Sequence, residues 1–383
     1  MRILHTADWH LGRIFNGYSL LEDQAKVVDL IADIVESEAP ELFVLAGDVF
    51  DRANPRREAV ELFDRFLERI YRKTSTAIVV IAGNHDAPER IGFGGALHDR
   101  ARVLIRGGLA RSAAPLLLED EAGKVAVTAI PYAGVFAARD HFNRADIATP
   151  EDVIAAEMEE ANALLPPKCR QIVVSHTFVA GGRGSESERS LEAAGGIEVV
   201  RPERYEGASY VALGHLHAPQ EIACNVGRLR YSGSILPFGF DEIDREKSVT
   251  LVDLQWWGVA SVETIALEPP RPLRVVRGSF DEVVGSPADL PEAAFVKLEL
   301  TDAATVPDAM SRLRERFPNA VQLEWVNRRI LEPEERLGAS REGLREPVGV
   351  IHTFYREVMG EELPQEQQEL VEETLAACRE EES

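Results

Sequence analysis

Short apolar runs alternate with amphipathic stretches along the first two thirds of the chain. Each run gives way to a polar or glycine-rich turn, and the runs are rich in β-branched residues, a pattern typical of buried strands. The runs are Ile3–Leu4, Leu42–Ala46, Ala77–Ala82, Val125–Ile130, Ile172–Val174 and Tyr210–Leu213. Between them, Leu20–Ser37 and Arg57–Arg72 place their apolar residues on one face of a helix. This alternation predicts an α/β domain in which strands and helices form separate layers.

The pattern changes beyond residue 220. Arg228–Ser232 and Ser248–Gln255 resemble antiparallel strands, so we expect a mixed sheet. A proline-rich connector, Glu268–Pro272, then interrupts the chain, because proline continues neither a strand nor a helix. The residues after it predict a small α+β module made of a strand, a helix and a second strand: Ala294–Leu300, Pro307–Arg316 and Val321–Val326.

The predicted domain boundaries follow these changes. An α/β domain spans residues 1–267, the α+β module spans 273–332, and a charged helical segment spans 333–383. Within that segment, five apolar residues share one face of a helix: Val350, Ile351, Phe354, Tyr355 and Val358. So short a helix does not form a core of its own. It therefore either docks on a partner, the interpretation we favour, or folds back onto the α/β domain.

Composition narrows the classes of function. The 383-residue chain has 42 Lys and Arg against 65 Asp and Glu, a formal net charge of −23. This balance argues against a protein that coats nucleic acid with a broad basic surface. It does not exclude a nuclease, because carboxylates that hold divalent cations create a positive site for phosphate.

The expected compartment is the cytoplasm. The first predicted strand begins at the amino terminus with no preceding signal segment, and no apolar run approaches the roughly 20 residues needed to span a bilayer. The cysteines, Cys169, Cys224 and Cys378, are too scattered for a disulfide framework or a thiolate zinc site.

Polar side chains that can bind metal follow five of the apolar runs. They are Asp8 and His10, then Asp48 and Asp51, then Asn84, His85 and Asp86, then His176, and finally His215 and His217. Ligands of open α/β sheets bind at the carboxyl ends of the strands. One histidine beside a strand is usually structural, but five of the nine histidines lie at these strand ends. We therefore expect one shared site.

The residue types predict a pair of divalent transition-metal ions. Imidazole, carboxylate and amide oxygen together suit Mn²⁺, Fe²⁺ or Zn²⁺ better than Ca²⁺. Seven side chains are expected to be ligands, which is more than one ion binds: Asp8, His10, Asp48, Asn84, His176, His215 and His217. Two ions roughly 3.5–4 Å apart can clamp the attacking and leaving oxygens of a phosphoryl displacement.

The motifs formed by these residues resemble those of the calcineurin-like metallophosphoesterase superfamily. They are Asp8-x-His10, Gly47-Asp48-x-x-Asp51, Gly83-Asn84-His85-Asp86, His176 and Gly214-His215-x-His217. The resemblance implies a layered fold of mixed β-sheets flanked by helices. It also implies that one metal is held by Asp8, His10, Asp48 and His217, and the second by Asp48, Asn84, His176 and His215. Asp48 would bridge the two ions, since a carboxylate has two oxygens.

The same resemblance implies that His85 is catalytic. It would stabilise the phosphate in the transition state or protonate the leaving 3′ oxygen. Asp51 is expected to orient the imidazole through its carboxylate, although archaeal and eukaryotic relatives tend to have histidine there. Asp86 is the competing candidate.

Three arginines after the second motif are either DNA contacts or part of a solvated helix start: Arg52, Arg56 and Arg57.

Two further stretches, Tyr231–Ile235 and Phe240–Glu242, resemble the nuclease subunits of bacterial double-strand-break repair complexes. That resemblance implies a Mn²⁺-dependent nuclease that acts on DNA ends and hairpins, with 3′–5′ double-strand exonuclease and single-strand endonuclease activity. The α+β module would cap the DNA, and the terminal helices would bind a coiled-coil ATPase. The chain has no phosphate-binding loop of the P-loop type, so ATP hydrolysis would belong to that partner. Relatives usually form dimers through helices near the amino terminus, here Leu20–Ser37 and Arg57–Arg72.

Two other classes of function stay open at this point. Gly47–Arg52 also resembles protein serine/threonine phosphatases, although this chain has Asp86 where those usually have glutamate, so a phosphomonoesterase or protein phosphatase is one alternative. The other is a non-catalytic scaffold subunit with a vestigial metal site, although no ligand position is missing.

Overall fold

The computed structural model describes residues 1–95, 102–109, 114–185, 187–188, 192–193, 196–197, 199–285 and 290–326, and eight positions beyond residue 350. Contacts divide the chain into two units. The first comprises Met1–Thr301 and Val306–Glu324, and the second comprises Asp302–Thr305 and Trp325–Ser383. No helix among the described residues is long and apolar enough to cross a membrane.

The strands and helices of the first unit follow the predicted alternation. The strands are β1 (Arg2–Thr6), β2 (Ile14–Phe15), β3 (Tyr18–Ser19), β4 (Leu42–Ala46), β5 (Ala77–Ile81), β6 (Val103–Arg106), β7 (Leu116–Asp120), β8 (Gly123–Ile130), β9 (Arg170–His176), β10 (Glu192–Ala193), β11 (Gly196–Ile197), β12 (Tyr210–Gly214), β13 (Gln220–Ile222), β14 (Arg228–Tyr231), β15 (Ser248–Gln255), β16 (Gly258–Ala266), β17 (Leu273–Gly278), β18 (Phe295–Leu300) and β19 (Ala320–Trp325). The helices are α1 (Leu21–Glu38), α2 (Arg57–Lys73), α3 (Pro88–Ile91), α4 (Val135–Phe142), α5 (Pro150–Ala163), α6 (Phe280–Gly285) and α7 (Ala309–Arg316). Two short 3₁₀ helices cover Pro202–Tyr205 and Phe240–Glu242.

Two six-stranded mixed sheets form the body of this unit. Their strand orders are β16-β15-β1-β4-β5-β6 and β13-β14-β12-β9-β8-β7. In the first sheet β1, β4, β5 and β6 run parallel, and β15 and β16 extend it in antiparallel fashion. In the second, β8, β9, β12 and β14 run parallel between antiparallel edge strands. The antiparallel prediction is correct for β15, whereas β14 pairs parallel with β12 and antiparallel only with β13.

The sheets pack on each other and are covered by helices. Alternate residues of each strand point to opposite faces of a sheet, so Val44 and Val174 belong to the core between the sheets. Residues from the other face of the first sheet pack on α1 and α2, where Ile31 and Phe66 are buried, and α5 covers the second sheet with Met158. The predicted layered α/β class is confirmed.

The small α+β module packs against this body. Its three strands have the order β17-β18-β19, and β17 and β18 are parallel. The ring of Phe295 on β18 lies 5.7 Å from Phe15 and 5.5 Å from Tyr18, measured between ring centroids. Arg271 pairs with the buried Asp23 of α1 at 2.7 Å and lies over Phe295. These contacts join the part of the module that belongs to the first unit to the core beside the first sheet.

The carboxyl-terminal segment is described at few positions. Ile351 and Tyr355 are helical and half-buried. Val350, Phe354 and Val358 lie outside the described residues, so the docking face stays a prediction.

Candidate metal centre

The seven expected ligands converge at the carboxyl ends of β1, β4, β5, β9 and β12. In the first ligand set, Nε2 of His10 lies 3.1 Å from Nε2 of His217. These two residues and Asp8 present ligand atoms that all lie within 4.8 Å of one another. The first set therefore offers two imidazoles and a carboxylate to one point.

The second set meets around the amide oxygen of Asn84. Its Oδ1 lies 3.0 Å from Nε2 of His176 and 3.2 Å from Nδ1 of His215. Asp48 stands between the two sets, because its Oδ2 is 3.5 Å from Nε2 of His10 and also 3.5 Å from Nε2 of His176. This position suits a carboxylate that bridges two ions.

Four of the seven ligands have a backbone conformation that non-glycine residues rarely adopt. The φ angles are 54° at Asp8, 45° at His10, 49° at Asp48 and 107° at His215. Such conformations cost roughly 1–3 kcal/mol each and cluster at functional sites. Hydrogen bonds between the motif loops maintain them, since the amide of Asp8 donates to Gly47 O at 3.1 Å and that of His10 to Asp48 O at 2.9 Å. Four of the ten described non-glycine residues with positive φ are therefore expected metal ligands.

Glycine before a ligand allows the strand ends to approach closely. A Cβ atom at Gly83 would lie 2.2 Å from Oδ1 of Asp48, and one at Gly214 would lie 1.8 Å from the carbonyl oxygen of Ala46. Neither position can carry a side chain without moving a ligand loop. This is the physical reason for glycine in the Gly-Asn-His-Asp and Gly-His-x-His motifs.

Trp9 anchors the first motif. Its side chain is fully buried, its ring centroid lies 4.9 Å from that of Phe66 on α2, and its Nε1 donates to Oγ1 of Thr6 at 2.9 Å. Because Asp8 and His10 flank it in sequence, fixing this ring against α2 fixes the turn that presents both ligands.

The electrostatics of the cluster favour the neutral form of three of its four imidazoles. Burial lowers the pKa of His217 to about 4 and that of His215 to about 3, and it lowers the pKa of His10 well below the usual value. Neutral imidazole is the form that binds metal. Burial also opposes a charge on His176 and Asp48, but their attraction outweighs it, so the pKa of His176 rises to about 9 and that of Asp48 is well below its usual value.

The donor set fits a pair of divalent cations. Two nearly fully buried carboxylates, Asp8 and Asp48, face each other with four imidazoles and one amide oxygen around them. Buried carboxylates this close repel, and burial raises the pKa of Asp8 well above its usual range. Dications between the two would relieve this repulsion and use the nitrogen and oxygen atoms that the cluster presents.

His85 lies at the edge of the cluster, but a carboxylate does not orient it. Its Nδ1 is 2.9 Å from the backbone carbonyl oxygen of Asp51, and its Nε2 is 4.0 Å from Oδ2 of Asp48. The Asp51 carboxylate instead lies 3.4 Å from Arg13 and 3.5 Å from Arg52. Nδ1 of His85 therefore contacts the main chain of Asp51 instead of the expected carboxylate. A carboxylate oxygen of Asp51 still lies within 4.8 Å of a ring nitrogen of His85, so a catalytic role for Asp51 stays a prediction.

Asp86 has a different role from the competing one expected. Its carboxylate accepts hydrogen bonds from the amides of Val49, Phe50 and Gly83 at 2.9–3.0 Å. Burial, with a contribution from Asp48, raises the pKa of Asp86 to about 7 against the effect of these donors. Asp86 thus ties the second motif loop to the third.

The three arginines after the second motif are exposed. The side chain of Arg52 is 68% exposed beside Asp51, and that of Arg57 is 85% exposed and pairs with Glu61 within α2. Arg56 is also exposed, at the start of that helix. Arg52 thus lies beside Asp51 and Arg57 is engaged within its own helix, and DNA contact by the three arginines stays a prediction.

Sequence reasoning missed several residues that surround the cluster. Arg13 reaches Asp51 and Ser187 O and lies over the ring of Phe238, which in turn contacts His10 and His217. Four more contact or brace His217 from behind: Ser187, Glu188, Glu242 and Lys247. The sequence contained one signal for this group, because Phe240–Glu242 resembles a stretch of the nuclease subunits. The resemblance gave no indication of what these residues do.

Comparison with known proteins agrees with this geometry. A family model described as calcineurin-like phosphoesterase matches residues 1–219, and a model described as type 5 capsule protein repressor C-terminal domain matches residues 269–359. The chain is 29% identical over 377 residues to the SbcD subunit of the nuclease SbcCD from Staphylococcus epidermidis, covering 98% of this chain and 98% of that protein.

Two solved structures resemble the chain more distantly. TT1561 of Thermus thermophilus is 14% identical with a TM-score of 0.42, and a dimetal phosphatase from Danio rerio is 11% identical with a TM-score of 0.40. Each comparison covers 70% of this chain and 99% of the other chain, and similarity this low carries no further conclusion. The match to the phosphoesterase model spans more than half of the sequence, and with it the chain belongs to the calcineurin-like phosphoesterase family.

Proposed function

We propose that this chain is a metal-dependent DNA nuclease that works with an SbcC-like coiled-coil ATPase on double-strand breaks and hairpins. One observation carries the proposal: seven ligand side chains converge in a chain that aligns with a nuclease subunit over 98% of both lengths. The reaction is hydrolysis of a phosphodiester by water, leaving a 3′ hydroxyl.

The chain's own residues prepare this reaction. Asp8, His10, Asp48 and His217 would hold one cation, and Asp48, Asn84, His176 and His215 the other. Cations bound there supply Lewis-acid activation of water and charge neutralisation on the phosphate. Oδ2 of Asp48 lies between the two sets, and the positive-φ turns hold the ligands in place before substrate arrives.

His85 supplies a proton donor beside the reacting phosphate. A carbonyl oxygen only accepts hydrogen bonds, so Nδ1 of His85 carries a hydrogen that it donates to Asp51 O. Its Nε2 is then directed toward Asp48 and the ligand cluster. When protonated, Nε2 donates to a phosphate oxygen or to the leaving 3′ oxygen.

The surroundings of the cluster support a polymeric substrate. A cavity of about 870 Å³ reaches Asn84 in the second ligand set. A cavity of about 480 Å³ is lined by Ser187 and Phe238, both of which contact His217 of the first set. A phosphodiester carries a substituent on each side of the phosphorus, whereas a phosphomonoester has only one, so open space beside both sets favours the diester.

Exposed aromatic rings favour nucleic acid in particular. Phe93 follows Gly92, a lining residue of the larger cavity, and its side chain is 85% exposed. Phe136 precedes Ala137, another lining residue, and is 83% exposed. Exposed rings beside a nuclease site provide surfaces on which unpaired bases stack.

The finer assignments rest on the resemblance and on the named relative. We infer Mn²⁺ as the metal, 3′–5′ double-strand exonuclease and hairpin endonuclease activity, and DNA capping by the module over residues 273–332. We also infer ATPase docking by the helical segment over residues 333–383. A homodimer would use α1 and α2, which carry the partly exposed Leu30 and Tyr71.

One assay distinguishes this proposal from its rivals. Purified protein with Mn²⁺ is offered labelled hairpin DNA, a small phosphomonoester and a phosphoprotein, with His85→Ala as the control that should still bind Mn²⁺ but turn over poorly. We expect DNA cleavage alone, lost in the variant. Strong turnover of the phosphomonoester or the phosphoprotein without DNA cleavage would show that the protein is a phosphatase. If the wild type turns over none of the substrates, alone or with the ATPase, the protein is a non-catalytic scaffold subunit.

A further inference from the structure

A buried chain of polar contacts leads from Lys247 to the back of His217. Nζ of Lys247 donates to the carbonyl oxygen of His217 at 2.9 Å and to Oγ of Ser234 at 2.8 Å, and it forms an ion pair with Oε2 of Glu242. Lys247 and Glu242 are both almost fully buried. A buried ion pair stabilises a fold little more than apolar side chains of the same size would. We therefore expect this pair to have a role other than stability, and its position behind a metal ligand indicates one.

The second carboxylate oxygen continues the chain to the imidazole. Oε1 of Glu242 accepts a hydrogen bond from Oγ of Ser187, and that Oγ lies 2.6 Å from Nδ1 of His217. The ion pair with Lys247 keeps Glu242 ionised, so the carboxylate only accepts, and the single hydroxyl hydrogen of Ser187 goes to it. Oγ of Ser187 must then accept from Nδ1–H of His217.

This direction of donation fixes which nitrogen faces the metal site. With the hydrogen on Nδ1, the lone pair of His217 is on Nε2, which lies 3.1 Å from Nε2 of His10 in the first ligand set. The backbone is held as well, because the amide of His217 donates to Oε1 of Glu188 at 2.6 Å while Lys247 holds its carbonyl. The residue is therefore fixed at its ring, its amide and its carbonyl.

We propose that Ser187 and Glu242, braced by Lys247, are positioning residues that fix the tautomer and orientation of His217 and thereby set the cation affinity of the first ligand set. This inference rests on the proposed metal centre. Hydrogen-bond partners behind ligating histidines typically change metal affinity about 10- to 100-fold when removed. If these residues only packed against His217, their removal would lower the stability of the fold and would not change the affinity of one metal site relative to the other.

Calorimetric titration of the full chain with Mn²⁺, without DNA, tests the proposal. Ser187→Ala removes the hydroxyl and leaves the ion pair intact, so the fold should persist. We expect one of the two Mn²⁺ affinities to fall about 10- to 100-fold and the other to stay unchanged. Ser187→Thr keeps the hydroxyl and should restore both affinities, and Glu242→Gln should weaken the same site as Ser187→Ala.

Asp120→Asn is the matched control. Asp120 is a largely buried carboxylate that pairs with Arg170 and with the amino group of Met1. This pair lies beside the start of β1, whereas the metal ligands follow the other end of that strand. The control variant should leave both affinities unchanged. Unchanged Mn²⁺ binding in Ser187→Ala, or equal loss at both sites together with a lower melting temperature, would overturn the positioning role alone. A wild-type chain that binds no Mn²⁺ would overturn the metal centre, and this inference with it.

Discussion

His85 donates through Nδ1 to the backbone carbonyl oxygen of Asp51, at 2.9 Å. A catalytic imidazole is more often held by a carboxylate, whereas the carboxylate of the same residue pairs with Arg13 and Arg52. A carbonyl fixes the tautomer as well as a carboxylate does but contributes no full negative charge. We therefore expect the side chain of Asp51 to be dispensable for orienting His85.

The first prediction follows from this contact. Asp51→Asn keeps the carbonyl and weakens the ion pairs with Arg13 and Arg52, neither of which holds His85, so kcat should fall less than about tenfold. His85→Ala removes the proton donor and should lower kcat about 10²- to 10⁴-fold. Steady-state cleavage of hairpin DNA at saturating Mn²⁺ measures both. If Asp51→Asn is as damaging as His85→Ala, the carboxylate has the role that we assign to the main chain.

A second prediction concerns the glycine before Asn84. In Gly83→Ala, the new methyl group would meet Oδ1 of Asp48 at 2.2 Å and displace the carboxylate shared by both ligand sets. Binding of both Mn²⁺ ions should therefore weaken together, as measured by calorimetry. Gly285→Ala is the control, since a Cβ there meets nothing within 4 Å. Normal Mn²⁺ binding by Gly83→Ala would contradict the bridging role of Asp48.

The ligands were accessible to sequence reasoning because each lies at the carboxyl end of an apolar strand or within four residues of it. Asp48 and His215 each also follow a glycine, and the geometry explains why, since the strand ends approach too closely for a side chain. The residues that support the ligands were not accessible in this way. Ser187 lies 30 residues from His217 along the chain and 55 residues from Glu242, and neither Ser187 nor Glu242 belongs to a strand-end pattern.

Main-chain roles were also beyond the reach of sequence patterns. Residue types indicate what a side chain can do, so Asp51 was expected to act through its carboxylate, and the loop conformation that presents its carbonyl is visible only in the structure. The packing of Phe295 against Phe15 and Tyr18 was missed for a similar reason. A proline-rich connector predicts a boundary along the chain and says nothing about which apolar surfaces meet after it.

A third prediction tests the two exposed rings beside the larger cavity. Stacking of a base on an aromatic side chain is worth about 1–3 kcal/mol, so the double variant Phe93→Ala/Phe136→Ala should raise KM for single-stranded DNA about 5-fold or more. A strand with abasic sites beside the scissile phosphate should bind wild type and variant equally. Trp256→Ala, which removes another exposed ring, is the control. An equal loss on the abasic strand would show that the rings do not contact bases.

A fourth prediction concerns stability in acid. Burial alone would raise the pKa of Asp120, but hydrogen bonds from Arg170 and the amino group of Met1 outweigh it and lower the pKa from 3.8 to about 2. A carboxylate with a lowered pKa stabilises the fold fully above its unfolded value and loses this contribution as the pH falls through its folded value. Asp120→Asn should therefore be less stable than wild type at pH 7, and the difference should shrink between pH 4 and pH 2. Urea unfolding of both proteins across this range measures it, and a difference that is independent of pH would contradict the assignment.

The convergence of seven side chains on two cations is the central claim, and anomalous scattering from crystals soaked in Mn²⁺ tests it most directly. We expect two peaks roughly 3.5–4 Å apart, with Asp48 in contact with both, His10 and His217 at one, and Asn84, His176 and His215 at the other. A single peak, peaks outside this cluster, or none at saturating Mn²⁺ would contradict it.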